Sequence, residues 1–331
     1  MPAVSFTSFI DGKISSMYHY KLKKLRSLSS DATIPKLTGA MSTFRIRTMP
    51  ILEKNVFSGI VTQSDIAKYL PPEAEILPTS VLKARNFDFD ELNEGSKAFK
   101  TKTIKEVFEE ILNIKDDELI AVLSSDTSLY ETIQRFTKKG AKNRRYRTLV
   151  IRDNIKCDGV LSYLDVFKIL LNQEHADVMG GLLSQKIGAL LPAKKIVITP
   201  ETDSLCDAIF TLNRNLFTHL PIAESGTATV VGLIDEVMVR SLQYDVIYEY
   251  LEDMELSKIL EIQRPNFGAM LLPETATFKQ ALEKFTSSAI RPTTLLIGEM
   301  NGASSAVVEN TLSYVDMMHI TLKFMDDQKT K

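Results

Sequence analysis

The sequence holds only two cysteines, Cys157 and Cys206, among its 331 residues. Two thiols cannot build a disulfide framework, so a reducing cytoplasm is the expected setting. No apolar run approaches the ~20 residues that a membrane span needs, and the N-terminus lacks a basic-then-apolar secretory pattern. A membrane partner is therefore not expected. An excess of charge of one sign is also missing: 40 Lys and Arg face 42 Asp and Glu, a formal net charge of -2. That balance argues against a general nucleic-acid binder, which needs a broad basic surface. Trp is absent, and the 14 Gly and 12 Pro gather into no low-complexity tract. No Gly-x-Ser-x-Gly elbow, Walker loop, dinucleotide Gly-x-Gly-x-x-Gly or pair of catalytic acids occurs, so an enzyme is not expected. His19, His175 and His319 stand isolated, as do the two cysteines, without metal-ligand spacing. What is present, 44% hydrophobic and 25% charged residues, suits a globular protein of two ordinary domains.

Internal repetition organises that length. A small apolar strand turning into Thr or Ser, with Asp three residues on, occurs as Gly59-Ile-Val-Thr62-Gln-Ser-Asp65 and Gly159-Val-Leu-Ser162-Tyr-Leu-Asp165. It returns as Asn310-Thr-Leu-Ser313-Tyr-Val-Asp316, and in degenerate form as Gly232-Leu-Ile-Asp235-Glu-Val-Met238. Apolar residues at helical spacing follow each, such as Ile66, Ala67 and Leu70, or Val166, Phe167 and Leu170. Upstream, four runs place apolar or small residues at i, i+3, i+4 and i+7. They start at Ile34, Leu129, Leu205 and Phe278, each just after a polar cluster that reads as a helix start. Between the two phrases lies a strand, Met49-Pro-Ile-Leu52, Leu149-Val-Ile151, Leu220-Pro-Ile222 and Thr294-Leu-Leu-Ile297, in which Pro50, Val150, Pro221 and Thr294 are read as the equivalent residue. From helix start to that residue is 16 positions in repeats one, three and four (34 to 50, 205 to 221, 278 to 294) and 21 in repeat two (129 to 150). Short strands are expected ahead of the first helix, at Ala121–Leu123 and Ile196–Ile198, and a connecting helix around Ile104–Ile114.

These turns, strands and helix starts resemble those of the CBS domain family, over about residues 16–325. The resemblance implies an α/β (α+β) fold of four CBS repeats, at about 16–70, 119–172, 193–245 and 265–325. It also implies that they form two pseudo-twofold paired modules, near 1–172 and 173–331, in a disc-like assembly like the gamma subunit of AMP-activated protein kinase.

Two readings of the turn stand side by side. Thr or Ser followed three residues later by an acid, opening a helix, is a capping box that stabilises the helix by about 1 kcal/mol. The same helix start attracts anions, and an Asp one turn on can accept from both hydroxyls of a ribose. Three positions before the residue equivalent to Pro50 stand Arg47, Arg147, Thr218 and Arg291. Arginine is thus expected in the three repeats that keep Asp, and a phosphate needs it where a cap does not. The resemblance implies adenine-nucleotide binding (AMP, ADP or ATP) with ribose on Asp65, Asp165 and Asp316. Phosphate would fall to Thr62, Ser162, Ser313, Arg47, Arg147 and Arg291. Repeat three, with Asp235 and Met238, reads as a vacated site, and His219 beside it as a polar strand end. The expected role is a regulatory protein that reports nucleotide level to a kinase-like or other protein partner. The alternatives are a scaffold without nucleotide sensing and a binder of another adenosyl ligand such as S-adenosylmethionine. The basic segment Lys138–Arg147 reads as a solvated loop or as a lip facing phosphate or a partner. Homo-oligomerisation is left open.

Overall fold

The computed structural model describes residues 5–17, 26–44, 46, 48–54, 56–62, 65–66, 101–112, 122–138, 148–151, 158–172, 175–215, 217, 219–235, 255–263, 267–287 and 292–330. After α1 (Phe6–Ile10) and α2 (Ile14–Met17), repeat one comprises β1 (Leu28–Ser29), α3 (Ile34–Thr43), β2 (Thr48–Glu53) and β3 (Val56–Thr62). A connecting helix α4 (Ile104–Leu112) leads to β4 (Val122–Leu123), α5 (Leu129–Thr137), β5 (Thr148–Ile151), β6 (Gly159–Ser162) and α6 (Tyr163–Leu170). Then α7 (Ala176–Leu183) and α8 (Ile187–Leu190) precede β7 (Thr199–Pro200), α9 (Leu205–Arg214), β8 (His219–Ala223) and β9 (Thr229–Asp235). Repeat four follows α10 (Leu256–Gln263) and α11 (Phe267–Met270), as β10 (Leu271–Leu272), α12 (Phe278–Ser287), β11 (Thr294–Met300), β12 (Ala306–Ser313) and α13 (Tyr314–Lys329).

The four helical stripes enter the core because the 3.6-residue period puts them on one face. Ile34, Leu37 and Met41 are buried, as are Leu129, Thr132, Ile133 and Phe136, then Leu205, Ala208 and Leu212, then Phe278, Ala281, Leu282 and Phe285. Each short strand is joined through its helix to the next and pairs with it in parallel; the next connection is a hairpin and pairs antiparallel. The expected strand at Ile196–Ile198 is displaced by three residues. Thr199, not Val197, pairs with Ile222, and Val197 and Ile198 are left exposed.

The pairs of repeats are braced crosswise. In the first half, Ile14 N–H donates to Thr127 O at 2.9 Å and Leu129 N–H to Gly12 O at 3.0 Å. Reciprocally, Ile104 N–H donates to Ala32 O at 2.8 Å and Ile34 N–H to Lys102 O at 3.1 Å. In the second half, Ile187 N–H donates to Ala276 O and Phe278 N–H to Gln185 O, both at 2.8 Å, and Leu256 N–H donates to Asp203 O at 3.0 Å. Each connector thus satisfies backbone groups at the helix start of the other repeat in its pair, where unpaired amides would otherwise be left.

The halves differ in their sheets. Among the described residues, repeats one and two form separate three-stranded sheets, whereas repeats three and four share one six-stranded sheet in the order β10-β11-β12-β9-β8-β7. The join is Ala306 with Val230 and Val307 with Thr229. Beside it, β11 carries a bulge between Ile297 and Gly298, where a Cβ on Gly298 would collide with the Val307 carbonyl oxygen. Between the halves, repeats two and four share a core. Phe285 and Tyr314 meet edge to face at 4.7 Å, and Tyr314 lies 5.7 Å from both Tyr163 and Phe167. At its rim Tyr130 donates a hydrogen bond to Asp326, and the Lys329 ammonium sits 3.3 Å over the Tyr130 ring.

Candidate functional site: the strand-to-helix turns

Three turns close as capping boxes. In repeat one, Thr62 donates to Asp65 Oδ2 from both its backbone N–H (2.8 Å) and its hydroxyl (2.7 Å), and Asp65 N–H donates back to Thr62 Oγ1 at 3.2 Å. Repeat two forms the same box. Ser162 N–H and Oγ donate to Asp165 Oδ2 at 2.8 and 2.7 Å. In repeat four the corresponding distances from Ser313 to Asp316 Oδ2 are 2.8 and 2.7 Å, with Asp316 N–H returning to Ser313 Oγ at 3.3 Å. The cap expected from the spacing is therefore formed in full, and it occupies one carboxylate oxygen in each repeat. Burial adds something a cap alone does not require. Asp65 and Asp165 are only 1% and 4% exposed, and a carboxylate removed from water needs partners to offset its desolvation.

Asp316 has a further partner. Lys194, in the segment leading to β7, donates from Nζ to Asp316 Oδ1 at 2.8 Å. That segment is held in place by Asn310, whose amide donates to Pro192 O at 3.0 Å while its Oδ1 accepts from Thr311 N–H at 2.8 Å. Burial alone would push the Asp316 carboxyl up; hydrogen bonds from Lys194 and Ser313, with the charge of Lys194, outweigh it and hold the group below the usual carboxylate range.

Repeat three is wired differently. Asp235 accepts a hydrogen bond from Thr293 Oγ1 of repeat four, and His219 Nε2 lies 3.0 Å from Thr311 Oγ1. His219 is thus a polar strand end bonded across to the neighbouring repeat. Where the other turns place a hydroxyl, this turn places a carboxylate that ties two repeats.

Strand register corrects one expectation. The residues paired with the turn positions Thr62, Ser162, Asp235 and Ser313 are Thr48, Thr148, His219 and Thr294. The bulges fall three residues later in repeats one, three and four, after Ile51, Ile222 and Ile297, which confirms this alignment. The residue just before the strand is then Arg47, Arg147, Thr218 and Thr293. Arg291 lies two positions earlier and does not correspond to Arg47 and Arg147: the strand begins at Thr294 as expected, but Thr294 is level with Thr48, so Leu296 and not Thr294 is the counterpart of Pro50. Arginine stands at this place in the first two repeats only. Arg47, Arg147, Arg291, Thr218 and Met238 themselves lie outside the described residues, as does most of the basic segment ending at Arg147. Sequence reasoning missed Lys194 and Thr293. Lys194 offered only a Lys-Lys pair before a short strand, and Thr293 becomes visible once the register is known.

Residues 20–72 match the CBS domain family. No curated protein matches the sequence. Among solved structures, the chain is similar to a Methanocaldococcus jannaschii protein described as a proposed archaeal homologue of g-AMPK. The TM-score is 0.67 at 16% identity, covering 93% of this chain and 99% of that one. An uncharacterised conserved protein of Pyrococcus horikoshii gives a TM-score of 0.52 at 12% identity, with 93% and 99% covered. At such identities the likeness is one of fold. The structure is mixed α/β, and its fold resembles that of the archaeal protein along nearly its whole length.

Proposed function

We propose that this is a non-catalytic regulatory protein that binds adenine nucleotides at its strand-to-helix turns and signals their level to a protein partner. The observation that carries the reading is the carboxylate set into three of four equivalent turns, each beside a helix start. The Thr293–Asp235 bond supplies the second half of the argument. It brings the residue preceding the strand of one repeat against the turn of its partner repeat. Arg47 and Arg147 stand in sequence at that preceding position in repeats one and two. A ribose diol would rest on the Asp, and a phosphate on an arginine and the helix amides. The archaeal neighbour described as a g-AMPK homologue supports an energy-sensing role without assigning one. Repeats one and two, with Arg and Asp both present in sequence, are the leading pair of sites.

Calorimetric titration with AMP, ADP and ATP tests this. Saturable binding is expected, and Asp65→Ala and Asp165→Ala should each remove one site. Absence of binding at millimolar nucleotide would overturn the proposal.

A scaffold without nucleotide sensing is the second reading, favoured by the capping boxes, in which each turn's hydroxyl and carboxylate bond to each other. Thermal-shift measurements separate the two, because a ligand that binds only the folded protein raises its melting temperature by mass action.

A further inference from the structure

The turn of repeat four differs from a bare capping box in that its outer carboxylate oxygen already has a cationic partner from another repeat. Asp316 Oδ2 is committed to Ser313, and Oδ1 accepts from Lys194 Nζ at 2.8 Å. Lys194 does not reach this place on a free tether. Four residues upstream Leu190 ends α8, whose backbone docks on the helix start of repeat four: Gly188 N–H donates to Glu274 O at 3.0 Å and Ile187 N–H to Ala276 O at 2.8 Å. Two residues upstream of the lysine, Pro192 O is gripped by the largely buried Asn310. The ammonium is therefore delivered by an anchored strap, while its side chain stays 40% exposed and can swing.

We propose that Lys194 is a built-in competitor at the repeat-four turn and sets which ligands that turn accepts. This rests on the reading of the turns as nucleotide sites. A ribose diol needs the carboxylate oxygen that Lys194 holds, so it binds only by displacing the ammonium. A bare nucleoside offers the displaced cation nothing in exchange. A nucleotide offers phosphate, and the strap keeps the ammonium within reach of it. The turn of repeat four is thereby selective for phosphorylated ligands, through a residue contributed by repeat three.

Calorimetric titration of the full chain with adenosine and, separately, ATP tests the idea in the wild type, Lys194→Met, Asp316→Asn and the double variant. Lys194→Met should strengthen adenosine binding at the Asp316-dependent site by about fivefold and weaken ATP there by a similar factor. The gain for adenosine should vanish in the double variant. Lys194→Gln, which keeps polarity without charge, should behave like Lys194→Met, and thermal melting confirms that each variant is folded. If wild type binds both ligands and Lys194→Met changes neither affinity, the competitor role is overturned while nucleotide binding stands. A gain that persists in the double variant overturns it as well. If neither ligand binds wild type or variant, both the role of Lys194 and the nucleotide reading fall.

Discussion

Repeats three and four occupy one sheet, yet their turns have opposite solutions to the same local problem. In repeat four, Ser313 and Asp316 satisfy each other, and the surplus carboxylate oxygen is taken by Lys194. In repeat three, Asp235 stands where a hydroxyl stands elsewhere and reaches across to Thr293. A Ser-x-x-Asp turn is closed within its own repeat, and in repeat four its outer carboxylate oxygen meets a lysine. In the Asp-x-x-Met sequence the carboxylate stands at the first position, and it accepts from the Thr293 hydroxyl of the neighbouring repeat. The difference teaches that loss of the turn's Asp here accompanies a structural tie between the repeats. The join of β12 to β9 and the contact of His219 with Thr311 lie on the same seam.

This contrast can be broken at several points. The largest effect is expected at the shared sheet. Gly298→Ala drives a methyl group into the Val307 backbone and should cost about 2–3 kcal/mol, read as a lowered midpoint in denaturant unfolding. Next, Asp235→Ala should cost about 1–3 kcal/mol, because a hydrogen bond to a charged acceptor is lost and Thr293 is left unsatisfied. Combined with Thr293→Val, the two losses should be non-additive in a double-mutant cycle. Additive losses would show that the tie between repeats three and four carries no energy. Ser313→Ala should cost about 1 kcal/mol, the value of a helix cap, with no such coupling to repeat three.

The smallest effect concerns pH. The lowered Asp316 group contributes stability that is complete above its unfolded value and is lost as pH falls through its lower folded value. The Lys194–Asp316 pair is partly exposed, so at most about 0.5 kcal/mol is expected from it at neutral pH. The difference in melting temperature between wild type and Lys194→Met should therefore narrow on acidification. A difference independent of pH would place the contribution of Lys194 elsewhere than on Asp316.

Much of the architecture was legible in the chain. The stripes beginning at Ile34, Leu129, Leu205 and Phe278 are buried as their spacing requires, and the Thr62, Ser162 and Ser313 turns form the boxes that their spacing implies. Local rules sufficed, because a helix face and a cap involve residues within four positions of each other. Strand register was less legible. Repeat four lacks the Pro of Pro50 and Pro221, and its run Thr294-Leu-Leu-Ile297 admits a slip of two residues without moving any side chain to the other face. That slip is what sets Arg291 level with Arg47 and Arg147. A shift of two keeps the hydrophobic pattern, so only the pairing of Thr294 with Ser313 could reject it.

The sequence by itself determined four units of one pattern, their buried faces and the three capped turns, since each depends on short-range periodicity and on a side chain bonding to its own helix start. The tertiary structure alone decided what each turn faces. Lys194 and Asp316 are 122 residues apart and Thr293 and Asp235 are 58, and no local spacing encodes such meetings. They follow from the crosswise docking of connectors and the joining of β9 to β12, which bring the edge of one repeat against the turn of the next.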